Sequence, residues 1–366
     1  MSQYKIQPID KDDLPQLADF LHESIENFRD ENPYGSGGGQ GRSRDTIFES
    51  LQRSFKHQTQ IDPTGQFGLK LCDDNTICGS LLFFPQIYRF QNQTYRALGS
   101  GSFFVDPNAR MQGFFMFRKY LASKNYDFYF GNTCNTNSIA LWKNCKGVVV
   151  PNSDIEYLII LKPAAVFEEL VLRKNKPWLS PVARTAGLLA GCLTRWRRDI
   201  GLKVSTAESH QQLAQIADEV CPLDLMTADR SVDYLQWHYP DLNSQSKNNQ
   251  PQVFVFSDQN GPQGWFAIDY GQRGLRQQIN AARILDVVWA RKQYSFKQIL
   301  HVIASTLDKP TDLLSIRARP DITLDAKFPH AYQRQLPAPE SAVLSKSDIG
   351  SEQLNMIVSF ATVDAV

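Results

Sequence analysis

The 366-residue chain carries 39 Lys and Arg against 38 Asp and Glu, a net charge of +1, so no field of one sign covers it and no global attraction to nucleic acid is expected. Its length exceeds what one hydrophobic core usually organises, which predicts two domains, and its 42% apolar and 21% charged residues exclude wholesale disorder. The six cysteines (Cys72, Cys78, Cys134, Cys145, Cys192, Cys221) include no C-x-x-C pair and the six histidines share no two-ligand spacing with them, so no metal site is expected.

Met1 to Asp10 lacks the apolar run of a secretory signal, and no stretch reaches the ~20 apolar residues that cross a bilayer. A cytoplasmic protein with reduced thiols is the expectation. Tyr4 to Pro8 reads as a strand, and Asp10 to Phe28 as a helix with Leu14, Leu17, Leu21, Ile25 and Phe28 on one face. The glycine tract from Pro33 to Gly41 breaks regular structure; it is either a lid over a cleft or a solvated connector. A second amphipathic helix follows near Asp45 to Phe55. Three apolar runs, Phe67 to Cys72, Ile77 to Phe90 and Tyr95 to Val105, are separated by Asp73-Asp74-Asn75 and Gln91-Asn92-Gln93, which predicts an antiparallel meander. A helix over Gln112 to Ser123, a strand over Asp127 to Gly131, a short helix over Ser138 to Asn144 and a strand over Ile155 to Leu161 complete the first half.

Similar elements recur after residue 200: a helix marked by Leu213, Ile216, Ala217 and Val220, a hairpin of Val253 to Phe256 and Trp265 to Tyr270, and a buried strand over Ile284 to Trp289. A helical stripe of Phe296, Ile299, Leu300, Ile303 and Leu307 then precedes strands at Leu313 to Arg317 and Leu354 to Phe360. Between the halves, Arg173 to Arg198 holds seven Arg or Lys, no Asp or Glu, Trp178, Trp196 and the apolar stretch Ala186 to Leu193. Two readings stand for this segment: an interfacial helix that touches anionic lipid, or a linker packed between domains.

The stretch Gly101 to Leu121 carries the chemistry. A strand ends at Val105, a turn holds Asp106-Pro107, and Arg110-Met111-Gln112-Gly113 opens a helix. The first N–H groups of a helix lack internal partners and sit at the positive end of its dipole, so they bind an anion such as a pyrophosphate. In this register Val105, Pro107, Arg110 and Gly113 resemble the V-x-P and R/Q-x-x-G-x-G/A signature of the GNAT superfamily of N-acetyltransferases, with Phe115 where the last Gly or Ala stands. Downstream, Phe130 to Ser138, then Ala140 to Lys143 and Gly147, resemble the second GNAT element, including an N-x-x-S turn filled by Asn135 and Ser138. Trp142 occupies the position often held by a tyrosine acid, and an indole is no acid there. Tyr234 to Pro240 is similar to a W-R-Y element followed by proline in some GNAT-related proteins near polysaccharide or amino-sugar genes, with His238 in place of the arginine.

This resemblance implies an α/β (α+β) fold of two GNAT-like domains, each a mixed, mostly antiparallel sheet flanked by helices. Residues 1–165 would form the acyl-CoA-binding domain, 166–200 a basic helical linker and 201–366 a degenerate copy whose strand-to-helix junction, Ala290 to Phe296, has no glycine. It also implies an acyl-CoA-dependent N-acyltransferase, with acetyl-CoA or another acyl-CoA as co-substrate, an amine or amino-sugar acceptor and no nucleic acid. Phe104, Val105, Arg110, Met111, Gln112, Gly113, Phe114 and Phe115 would bind the carrier, and Asn135 and Ser138 would border the transfer point. Alternatives are a non-catalytic acyl-CoA-binding or assembly protein and an aminoacyl-tRNA-dependent transferase, which needs a basic face that the charge balance disfavours. A Cys/His nucleophile built on Cys134 or Cys145 lacks a His-bearing motif.

Overall fold

The computed structural model describes residues 4–31, 43–63, 65–193, 200–221, 224–242, 251–307, 310–318, 322, 331–346 and 357–358. The first half runs β1 (Tyr4–Pro8), α1 (Leu14–Glu31), α2 (Arg44–Ile61), β2 (Gly68–Asp73), β3 (Thr76–Phe90), β4 (Gln93–Val105), α3 (Arg110–Leu121), β5 (Phe128–Gly131), α4 (Thr136–Asn144), β6 (Val148–Val149) and β7 (Ile155–Ile160). A helical hairpin, α5 (Pro163–Arg173) and α6 (Ser180–Leu193), leads to β8 (Lys203–Thr206), α7 (His210–Val220), β9 (Met226–Ala228) and α8 (Val232–His238). Then come β10 (Gln252–Asp258), β11 (Gly261–Arg273), β12 (Ile279–Trp289), α9 (Phe296–Thr306), β13 (Leu313–Arg317), β14 (Ala331–Gln335), β15 (Ala342–Ser345) and β16 (Ile357–Val358). The glycine tract, the side chain of Phe28, Cys192, the basic residues after Leu193 and most of the strand expected over 354–360 lie outside the described residues.

Two sheets form, as expected. The first has the order β1-β2-β3-β4-β5-β15-β6, with β9 joined to β3 and β16 to β9; the second has the order β14-β7-β13-β12-β11-β10-β8. Each is built on a long antiparallel hairpin, β3–β4 or β11–β12, followed through a helix by a parallel strand, β5 or β13. Parallel neighbours need such a crossover, and α3 and α9 supply it.

The halves interlock. The strand expected to close the first unit, β7, pairs instead with β13 and β14 in the second sheet, while β15 from the far end of the chain pairs with β5 and β6 in the first. The chain division at residue 165 therefore does not coincide with the division between sheets. An apolar run such as Ile155 to Ile160 announces a strand but not its partner. In the second sheet the carboxylate of Glu156, buried on β7, meets Arg273 at 3.0 Å on β11, Arg334 at 3.3 Å on β14 and Arg317 at 3.9 Å on β13. Burial opposes ionisation of Glu156, but Arg273 and Arg317 outweigh it and hold its carboxyl below the usual range.

Alternation along the strands distributes side chains between cores. On the first sheet Leu81, Phe83, Leu98 and Tyr129 meet Phe117, Tyr120 and Trp142 of α3 and α4. The opposite face, with Leu82, Phe84, Tyr88, Phe128 and Phe130, packs on α1, α2, α7 and α8, and this core continues into Val253, Val255, Trp265 and Ala267 of the second sheet. One apolar layer thus joins the halves, with Phe254, Phe256, Phe266 and Ile268 turned the other way onto α9.

Candidate acyl-carrier site

The site begins where β4 and β5 part. Their parallel pairing runs from Ala97–Phe128 to Ser100–Gly131 and then ends, while β4 continues to Val105 alongside β3. A register shift between Ser80 and Leu82 marks a bulge in β4, where Ser102 takes the left-handed φ of 48° and its carbonyl accepts the Ser80 hydroxyl at 2.8 Å. Asp106 N–H donates to the Cys78 carbonyl on β3 at 2.9 Å. Alternation then turns the Val105 N–H toward the opposite edge, into the fork left by β5.

Buried polar groups tie the two strands together just before they part. Tyr120 of α3 places its hydroxyl 2.6 Å from the Leu98 carbonyl and 3.1 Å from the Phe130 carbonyl, so one phenol bridges both strands at their last rungs. Burial pushes this phenol well above its ordinary range and keeps it a donor. Ser100 Oγ donates to the Phe130 carbonyl at 3.3 Å. At the apex a Cβ on Gly131 would lie 3.1 Å from Cys134 Sγ, 3.2 Å from Trp142 Nε1 and 3.3 Å from Ser100 Oγ, so these three atoms converge there. Ser100 and Tyr120 carry no sequence motif; only the three-dimensional register reveals them.

Beside the fork stands the start of α3, entered through a 3-10 turn at Pro107–Ala109. Its N-cap, Ala109, supplies no side-chain acceptor, and the first turn holds no acid. The leading amides keep their positive dipole end free of an internal carboxylate, which is what an anionic ligand requires. Gly113 is buried against β4, where an added Cβ would lie 3.3 Å from Val105 Cγ2 and 3.5 Å from the Phe103 ring. The missing side chain therefore sets the distance between α3 and the fork. Arg110, Met111 and Phe115 are exposed, and Gln112 and Phe114 are half-buried.

The equivalent junction in the second sheet is closed. Before α9, Ser295 Oγ accepts from the Gln298 N–H and Gln298 Oε1 accepts from the Ser295 N–H. This reciprocal box uses up donors that α3 leaves available.

Asn135 and Ser138 lie at the start of α4, across the fork from α3. Asn135 Oδ1 accepts from the Asn137 and Ser138 N–H groups, both at 3.0 Å, and Ser138 Oγ accepts from the Asn135 N–H at 2.8 Å. The pair is a capping box, and Asn135→Ala is expected to cost about 1 kcal/mol of stability, with Asn135→Asp restoring it; urea denaturation checks this. Trp142 is buried against Phe117 and Tyr120. Burial pushes the Cys134 thiol up to about 12, so it is no nucleophile at neutral pH.

On the sheet face away from α3, polar groups are buried without partners. Ser50, Ser54 and His57 share the inner side of α2 with Ile47 and Leu51, and His57 stacks on Trp237 at 4.3 Å between ring centres. Trp237 donates to Ser54 Oγ at 3.2 Å, and Phe84 lies 5.9 Å from its other side. His57 Nε2, His238 Nε2 and both amide atoms of Gln86, which alternation places between Phe84 and Tyr88, have no hydrogen-bond partner among the described residues. Buried polar atoms of this kind are normally satisfied by an ordered water or another polar group. Neither Gln86 nor the α2 stripe stands out in the sequence, although polar residues spaced four and three apart beside Ile47 and Leu51 were there to be noticed.

Burial depresses His57 to about 4, against a smaller opposing pull from Asp233, and His238 to about 3. Below the ordinary value of 6.5 the unfolded chain binds protons that the folded chain refuses, so stability falls as pH drops from about 6.5 toward 4 and is unaffected by these groups above that window. His238→Phe is expected to flatten that slope in urea titrations between pH 7 and 5.

No protein-family model and no curated protein matches this sequence. Solved structures do match. A conserved protein of unknown function from Enterococcus faecalis V583, described as a probable N-acyltransferase, superposes with a TM-score of 0.58 at 13% identity over 94% of this chain and 73% of the other. A GCN5-related N-acetyltransferase from Anabaena variabilis ATCC 29413 gives 0.54 at 11% identity over 93% and 72%, and one from Kribbella flavida gives 0.50 at 9% over 93% and 70%. The forked parallel pair and the open helix start thus sit within a known architecture: the chain has the fold of the GCN5-related N-acetyltransferases.

Proposed function

We propose that the chain is an acyl-CoA-dependent N-acyltransferase, with acetyl-CoA as the donor and the amine of a small molecule, such as an amino sugar, as the acceptor. The observation that carries this reading is the uncapped, acid-free start of α3 beside the β4/β5 fork. These features fit the carrier: the diphosphate meets the amides of residues 110–113, Met111 and Phe115 offer apolar surface at the mouth, and the thioester enters the fork. The Val105 N–H then faces the acyl carbonyl and stabilises the oxygen as it gains charge.

In the reaction the amine nitrogen attacks the thioester carbon, a C–N bond forms, the C–S bond breaks, and the thiolate leaves with the proton released by the amine. With Trp142 buried in the tyrosine position, the leaving thiolate takes its proton by way of water. The strand-to-helix junction of residues 201–366, capped by Ser295 and Gln298, holds no carrier.

A carrier-binding protein without turnover is the competing reading, favoured by Trp142 and by the self-satisfied Asn135–Ser138 cap. Two assays separate the readings. A rise in melting temperature with acetyl-CoA is expected in both, and release of free thiol with a panel of amines and amino sugars only for the enzyme. Absence of any ligand-dependent rise with acetyl-CoA, longer acyl-CoAs and free CoA would refute both.

A further inference from the structure

The α5–α6 hairpin carries a surface that the transfer chemistry does not use. Close packing at its crossing is forced by small residues: a Cβ on Gly187 would lie 2.5 Å from Ala164 Cα, and one on Gly191 3.4 Å from the Pro163 ring. With that side of α6 committed to α5, the opposite side faces outward. Val182, Leu188 and Leu189 are 65%, 60% and 69% exposed, joined by Leu170 at 54% and by Trp178, at the turn between the helices, at 74%. Half of the exposed large apolar residues named among the described residues thus fall on this one hairpin.

Charge on the hairpin is sorted in the same way. Its only acids, Glu168 and Glu169, are turned inward. Glu168 accepts from Ser180 and pairs with Arg184 at 3.5 Å, while buried Glu169 takes Arg173 at 2.6 Å and also accepts from the Leu275 N–H and Gln278. Lys174 and Lys176 stand exposed beside Trp178. The outer face therefore combines aliphatic side chains, an exposed indole and uncompensated positive charge. That combination suits the headgroup boundary of an anionic bilayer, where an indole is at home and apolar groups leave water while cations stay wet. No helix among the described residues is long and apolar enough to cross a membrane, so the mode is contact along the surface.

We propose that the α5–α6 hairpin docks the protein on anionic lipid bilayers, with Trp178, Val182, Leu188 and Leu189 entering the interface and Lys174 and Lys176 meeting lipid phosphates. The proposal is independent of the acyl-transfer reading, because no residue of the fork takes part. The test is flotation of the full chain with vesicles of phosphatidylcholine alone or with about a third phosphatidylserine, at low and high salt. Wild-type protein is expected to float with the anionic vesicles, more weakly as salt rises. A Leu188→Ser/Leu189→Ser/Trp178→Ala variant, altered only at exposed positions, is expected to lose at least tenfold in partitioning, and Lys174→Glu/Lys176→Glu to lose the preference for anionic lipid. Wild-type protein that floats with neither vesicle, or apolar-face variants that float as well as wild type, would overturn the proposal. So would a wild-type dimer that becomes monomeric in the apolar-face variant without any vesicle binding, since a second copy would then be the occupant.

Discussion

Gly113→Leu is expected to weaken carrier binding strongly while leaving a folded protein. A Cβ at this position already sits 3.3 Å from Val105 Cγ2 and 3.5 Å from the Phe103 ring, so a larger side chain must push α3 away from β4 or swing Phe103 into the fork. Overpacking of this kind costs about 1–3 kcal/mol of stability, which a domain of ordinary stability survives. The ligand loses more, because the amides of the first turn and the Val105 N–H stop addressing the same molecule. A rise in Kd of roughly a hundredfold, about 2.7 kcal/mol, is the expectation. The readout is the melting-temperature shift that acetyl-CoA causes within each variant, so a lower starting stability cancels. Gly113→Ala, which needs its neighbours to give by only a few tenths of an ångström, should fall between.

Removing the carboxylate of Asp286 is expected to unfold or nearly unfold the chain. Arg230, between β9 and α8, sends Nε to Asp286 Oδ2 at 2.8 Å and a terminal nitrogen to Oδ1 at 2.9 Å, with both side chains at most 3% exposed. Burial opposes charge on Arg230, but Asp286 outweighs it and keeps the guanidinium protonated. Because β9 pairs with β3 and Asp286 sits on β12, this fork-shaped pair ties one sheet to the other. Asp286→Ala leaves a buried cation without its counter-charge, at a cost of about 3–5 kcal/mol. The double variant Arg230→Met/Asp286→Leu removes both charges and should recover much of that loss, which equilibrium denaturation would measure.

Much of this architecture is legible in the residue pattern, for definite physical reasons. The runs ending at Cys72, Phe90 and Val105 are strands because β-branched and aromatic residues alternate between turn compositions, and the helical stripe of Phe296, Ile299, Leu300 and Ile303 is α9 because its period is helical. The strand-to-helix junction at Val105 to Gly113 is visible because its departure from ordinary composition, proline and glycine flanking a helix start, has a mechanism. Sheet membership is not legible, because the apolar pattern of a short strand such as β7 or β15 announces a strand without naming its neighbour. Their exchange depends on partners distant in sequence, such as the three arginines around Glu156. The cluster of buried polar groups stays hidden for a related reason: His57, Gln86 and His238 lie on separate elements, and His238 reads as an ordinary core neighbour of Trp237.

Diffraction from crystals soaked in acetyl-CoA addresses the central claim most directly. Density for the diphosphate against the main-chain amides of residues 110–113, with the acyl group between β4 and β5 near Val105, is the result this account predicts. A carrier bound in the second sheet near Ser295, or on any surface away from the start of α3, would contradict it.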